Sequence, residues 1–150
     1  MVKTRQNFHG RNLRKGRISE PGRIYVITTV TRNRKPVFAD FFATRTLIQV
    51  LMGHDQLGFA KTLCFVVMPD HLHWMMQLGE IKTLGETIHA LKSITSRRVG
   101  KAIFQKGYYD HAVREEKDIK ELARYIVANP LRAELVRNIN DYPYWDAIWM

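Results

Sequence analysis

Two histidines separated by one residue, His71-Leu72-His73, are the most chemically suggestive spacing in the chain. Side chains at i and i+2 of a strand share a face, so both imidazoles would stand side by side while Leu72 turns into the core. Such a pair can hold a divalent metal, and it can equally face solvent beside a turn. Zinc usually takes a third and fourth ligand from histidine, cysteine or carboxylate. The available candidates are Asp70, Glu80, His54, His89 and His111, a weak zinc signature. Two imidazoles with one oxygen suit Mg²⁺ or Mn²⁺ completed by water and a substrate phosphate.

A second pair, Tyr125 and Asn129, is four residues apart and therefore lies one above the other on a helical face. It flanks the apolar stripe of Ile119, Leu122 and Ile126, which leaves Tyr125 half exposed, as a nucleophile must be. A phenol ordinarily titrates near pH ~10. Attack on a phosphodiester therefore needs a nearby cation or metal to favour the phenolate and to draw charge from the phosphate oxygens. Taken singly, Tyr125 also reads as a packing residue and Asn129-Pro130 as a helix stop.

These residues need elements to position them. Gly22 to Thr31 is rich in β-formers and predicts a first strand. Thr44 to Leu57 carries Leu47, Ile48, Leu51 and Met52 at helical spacing. Leu63 to Met68, the turn Pro69-Asp70, and His71 to Leu78 predict an antiparallel hairpin. Thr83 to Val99 is an amphipathic helix on Leu84, Ile88, Leu91 and Ile94, with Lys92 and Arg97 at polar positions. A short strand over Tyr109 to Arg114 and a last helix over Asp118 to Ala128 follow. The order β-α-β-β-α-β plus a helix predicts an α+β, ferredoxin-like (split β-α-β) fold: a four-stranded antiparallel sheet, helices on one face, the other face and the edges free for a ligand. The added C-terminal helix carries the tyrosine, and the aromatic tail Tyr142-Pro143-Tyr144-Trp145 should pack back on the domain.

The chain has 150 residues, 45% of them hydrophobic, and a net charge of +10 from 24 Lys+Arg against 14 Asp+Glu. That is one domain's worth of core and a preference for a polyanion. Residues 1 to 35 hold ten lysines and arginines against the single acid Glu20. We divide the chain into a basic N-terminal arm, 1–21, and one catalytic domain, 22–150. The lone Cys64 excludes an intramolecular disulfide and a cysteine-based zinc cluster. No apolar run approaches the ~18 residues that span a bilayer, so the expected location is cytoplasmic, associated with the nucleoid.

Together, Val67-Met68-Pro69-Asp70-His71-Leu72-His73-Trp74, Lys92-Ser93, Gly107-Tyr108-Tyr109-Asp110-His111 and Tyr125 to Val136 resemble the REP-associated tyrosine transposases. These form a branch of the single-strand insertion-sequence transposases with a His-hydrophobic-His motif. The resemblance implies an enzyme that binds a DNA hairpin and cleaves the adjacent single strand, with Tyr125 becoming joined to the 5′-phosphate. His71 and His73 match the metal ligands. Asn129 matches the position where relatives can supply a third ligand as Gln, and His111 is the alternative ligand or a phosphate contact. The family's usual glycine in the Asn-Pro-x-x-Ala-Gly run is Glu134 here.

Arg11, Arg14, Lys15 and Arg17 of the arm are expected to grip the hairpin stem, with Lys92 and Arg97 as further DNA contacts. Phe8, Tyr108 and Tyr109 are candidate stacking rings or core residues, and Trp74 is expected to pack. The partner is single-stranded DNA with a hairpin, the assembly a monomer or homodimer. The alternative is a non-enzymatic nucleic-acid binder of the same fold. A phosphoesterase using two His-x-Thr/Ser motifs ranks last, because no such motif is present.

Overall fold

The computed structural model describes residues 7–9 and 19–149. The first full strand, β2 (Ile24–Val30), follows the short β1 (Asn7–His9) and is buried along nearly its whole length. Helix α1 (Phe41–Leu57) starts where the Asp40 carboxylate accepts the Ala43 N–H at 2.8 Å, and ends at Gly58 with φ 77°. The hairpin of β3 (Ala60–Met68) and β4 (His71–Leu78) comes next. Helix α2 (Leu84–Val99) opens with a capping box of Thr83 and Glu86. Strand β5 (Tyr108–Val113), α3 (Lys117–Val127), the single turn α4 (Asn129–Arg132) and β6 (Trp145–Ala147) complete the chain.

All pairings are antiparallel, in the order β1-β5-β2-β4-β3-β6. The inner four, β5-β2-β4-β3, are the ferredoxin-like sheet that the element order predicts. Its edges are not free, as expected from the sequence, but covered: β1 pairs with β5 on one side and β6 with β3 on the other. Unpaired edge N–H and C=O groups invite unwanted strand addition, and short flanking strands remove that hazard. The aromatic tail packs back as expected, with the Tyr142 hydroxyl donating to the Val67 carbonyl at 2.6 Å.

The second correction concerns the faces. Helices α1 and α2 bury Leu47, Leu51, Ile88 and Leu91 against Ile27, Leu72, Trp74 and Met76. Helix α3 lies on the opposite face, with Leu122, Ala123 and Ile126 against Val26, Val66 and Met75. The face expected to be open is therefore partly roofed, and only the part beyond α3 is a cleft. Trp74 is fully buried, its indole N–H donating to Thr62 Oγ1 at 3.0 Å. Between α1 and α2 the His54 ring is also buried, its two nitrogens 3.1 and 3.0 Å from the carbonyls of Val50 and Thr87. No helix among the described residues is long and apolar enough to cross a membrane.

The turn after β4 needs glycine for space rather than for torsion. A Cβ on Gly79 would lie 2.1 Å from the Gly58 carbonyl oxygen, so the end of α1 and the end of β4 can approach only without one.

Candidate active site

Strand alternation decides what faces the cleft. Leu72 and Trp74 point into the α1/α2 core, so His71, His73 and Met75 point to the face carrying α3. His73 stands opposite Thr28 in the ladder, and His111 opposite Val26. Val26, His73 and His111 form the floor of a cleft of about 370 Å³, whose wall is Leu122, Tyr125 and Ile126 of α3 with Asn129 and Arg132 of α4. The His71 and His73 rings lie 4.7 Å apart between centroids at 78°.

Each imidazole is held through Nδ1. His71 Nδ1 is 2.6 Å from Asp70 Oδ1, and His73 Nδ1 is 2.8 Å from the Thr28 hydroxyl. In the tautomer with Nδ1–H donating, each Nε2 carries a lone pair. That is how metal-binding histidines are usually oriented. Asp70, a possible ligand on sequence grounds, instead sits behind His71, and Arg34 Nη1 reaches its other oxygen at 3.3 Å. Burial alone would raise the Asp70 carboxyl, but hydrogen bonding and charge from His71, then from Arg34, outweigh it and hold it below its ordinary value.

Burial, reinforced by the charges of His71 and Arg132, pushes His73 from 6.5 down to about 3. The ring is thus neutral, as a ligand must be. The unfolded chain takes up a proton near pH 6.5 that the folded chain refuses until about pH 3, so His73 should cost stability as pH falls through that window. Urea unfolding between pH 7 and pH ~4.5 should show the wild type losing more stability than His73→Gln; parallel losses would contradict it.

Tyr125 is 57% exposed at the mouth of the cleft, with the Arg132 guanidinium carbon 3.8 Å above its ring centroid. Tyr125 and Asn129 do not share one continuous helix, contrary to the simplest reading of their spacing. Pro130 has no N–H to give to the Ile126 carbonyl four residues back. Asn129 Nδ2 donates to that carbonyl instead, at 2.9 Å, and the chain restarts as α4. Both side chains still reach the same cleft. Glu134 adopts φ 58°, a left-handed turn held by a residue that favours it less than glycine does.

Other candidates lie elsewhere. Lys92 is on the far side of the sheet, beside a separate groove of about 650 Å³, and its ammonium binds the carbonyls of Gln105 and Gly107. Arg97 is exposed on the same helix and reaches Ser93 Oγ at 3.4 Å. Tyr108 is a core residue, whereas Tyr109, opposite Thr28, is half-buried on the cleft face. Arg11, Arg14, Lys15 and Arg17 lie outside the described residues, as does the side chain of Phe8. Among the described residues no three His, Cys, Asp or Glu side chains cluster to hold a metal.

Sequence reasoning gave no role to Thr28 or Arg132. Arg132 follows Tyr125 by seven residues, two helical turns, which was a usable signal; nothing local to Thr28 announces its partner 45 residues away.

The sequence profile of the IS200-like transposases matches residues 22–129, from the first full strand through Asn129. This chain belongs to the IS200-like transposase family. Membership brings the DNA-cleaving enzymatic role of transposases to a fold whose cleft already joins His73 and His111 to an exposed tyrosine. A Haemophilus influenzae protein assigned as a REP-associated tyrosine transposase is 28% identical over 139 residues, covering 82% of this chain and 78% of its own. The REP-associated tyrosine transposase of Escherichia coli K12 is 29% identical over 82 residues, 53% of this chain and 50% of its own length. In fold, the chain matches the structure of a REP-associated tyrosine transposase bound to a REP hairpin, with a TM-score of 0.75 at 23% identity over 86% of this chain and 79% of that one.

Proposed function

We propose that this member of the family is a REP-associated tyrosine transposase that cleaves and rejoins single-stranded DNA beside a palindromic hairpin. The observation that carries the reading is the shared cleft: an exposed Tyr125 lines it together with His73, Asn129 and Arg132. The likeness to proteins named for REP association, one of them bound to a REP hairpin, supports the hairpin as partner. The work would be done on DNA in the cytoplasm.

Tyr125 Oη is the nucleophile. It attacks the phosphorus of a phosphodiester, the P–O3′ bond breaks, and the phenol proton is transferred in net terms to the departing 3′-oxygen. The products are a 5′-phosphotyrosine ester and a free 3′-OH. Because the ester keeps the energy of the broken bond, a second 3′-OH can reverse the step on another DNA end without ATP. Arg132 stacks on the ring and fixes its angle. Its N–H donors, which no group among the described residues takes, are available to the phosphate.

His71 and His73 would hold Mg²⁺ or Mn²⁺, with the Asn129 side-chain oxygen as the third donor, and His111, which makes no three-histidine cluster with them, would serve as a phosphate contact. The fit rests on two imidazoles anchored through Nδ1, which leaves each Nε2 to face an ion. When bound, such an ion draws charge from a non-bridging phosphate oxygen.

An end-labelled oligonucleotide carrying a hairpin and a single-stranded flank tests the reading. Cleavage in the flank, a 3′ end that a polymerase extends, and arrest by EDTA reversed with Mg²⁺ or Mn²⁺ are expected. Tight binding without cleavage under either metal would instead identify a nucleic-acid binder. Cleavage that persists in EDTA would overturn the metal role alone.

A further inference from the structure

The loop that follows β2 plays no part in the cleft, yet it begins beside it. Val30 faces His71 in the ladder, so the chain leaves β2 at the His71 end of the sheet. It is fastened there: the Thr31 N–H donates to the Asp70 carbonyl at 3.0 Å, the Phe38 N–H to the Pro69 carbonyl at 2.9 Å, and Arg34 pairs with the Asp70 carboxylate. The loop is thus rigidly tied to the turn that carries the histidines.

Its outer surface has an unusual composition. Phe38 is buried, but Phe41 and Phe42 at the start of α1 are 60% and 61% exposed and add nothing to the core. Arg32, Arg34 and Lys35 of the same loop are exposed, and the exposed Arg45 has its guanidinium carbon 5.6 Å from the Phe41 ring centroid. The one carboxylate between residues 31 and 45, Asp40, is engaged in capping α1. Exposed rings set among cations are the surface on which single-stranded nucleic acid rides, the rings meeting base faces and the cations phosphates. A duplex keeps its base faces stacked inside and cannot use such rings.

We propose that Phe41 and Phe42 form a stacking platform for unpaired bases of the DNA strand as it passes the His71 end of the cleft, with Lys35 and Arg45 on its phosphates. This rests on the single-strand transposase reading above. It adds where the strand runs and makes the enzyme select an unpaired flank.

Binding is compared for a hairpin with an unpaired flank of about ten nucleotides, several bases of run-off from the stem, and for the same hairpin with no flank. Phe41→Leu/Phe42→Leu keeps apolar area and removes the rings. It should weaken binding of the flanked hairpin about tenfold or more, leave the flankless one unchanged, and relieve quenching of 2-aminopurine placed in the flank. Phe41→Tyr/Phe42→Tyr should restore wild-type behaviour. Unchanged affinity for the flanked hairpin, equal loss on both hairpins, or loss only of self-association in sedimentation would overturn the platform; the last outcome would make a second copy of the chain its occupant. The wild type is assayed for its covalent DNA adduct on the flanked hairpin in the same series. An adduct with unaltered Leu-variant binding removes the platform alone. Ring-dependent binding without any adduct removes the transposase reading alone.

Discussion

Tyr125→Phe is expected to abolish the covalent protein–DNA adduct and strand cleavage, lowering the rate by at least about four orders of magnitude, the scale on which loss of a nucleophile acts. Nothing else should change much. The side chain is 57% exposed, and its hydroxyl bonds no other described residue, so stability should stay within about 0.5 kcal/mol of wild type. The phenylalanine ring can still lie under Arg132. A denaturing gel of end-labelled oligonucleotide reads the adduct, and urea unfolding reads the fold. A variant that keeps its adduct would move the nucleophile to another residue.

His73→Ala should be the next most damaging change. The ring forms the cleft floor, is anchored to Thr28 and stands 4.7 Å from His71. On the proposed metal role, removing it leaves His71 alone of the two imidazole ligands, too few to hold a hydrated divalent ion in place. Changes to groups that merely orient a ligand cost about 10- to 100-fold in metal affinity or activity, so loss of the ligand itself should exceed 100-fold in cleavage rate. Titration with Mn²⁺ distinguishes the cause: the variant's half-saturating concentration should rise steeply, with partial recovery at high metal. Equal rates and equal metal dependence in variant and wild type would show that His73 is not a ligand.

Local pattern carried much of this architecture. Period-two alternation through His71-Leu72-His73 puts Leu72 in the core and both imidazoles on one face without any knowledge of neighbours, and that is what the sheet does. The apolar stripes of α1 and α2 were as legible. The edge strands Asn7–His9 and Trp145–Ala147 were not, because three residues are too few for periodicity and their pairing depends on strands far along the chain. An apolar stripe on α3 says which side of the helix is buried, but not which face of the sheet receives it.

The same distinction divides the site. Tyr125 and Asn129 are neighbours by helical spacing and remain in one cleft even though Pro130 breaks the helix between them. Thr28 supports His73 only through strand register, and Asp70 changed from possible ligand to orienting partner through a side-chain contact. Lys92, a cation at a polar helix position, bonds two backbone carbonyls across a loop, a contact that helical spacing does not announce.

The most direct measurement is peptide mapping of the covalent adduct. The protein is reacted with the flanked hairpin oligonucleotide, digested with nuclease and protease, and the phosphonucleotide-bearing peptide is identified by tandem mass spectrometry. The modification should lie on Tyr125 and nowhere else, attached through the 5′-phosphate of the nucleotide that follows the cut. A modified residue other than Tyr125, or a linkage through the 3′-phosphate, would contradict the account.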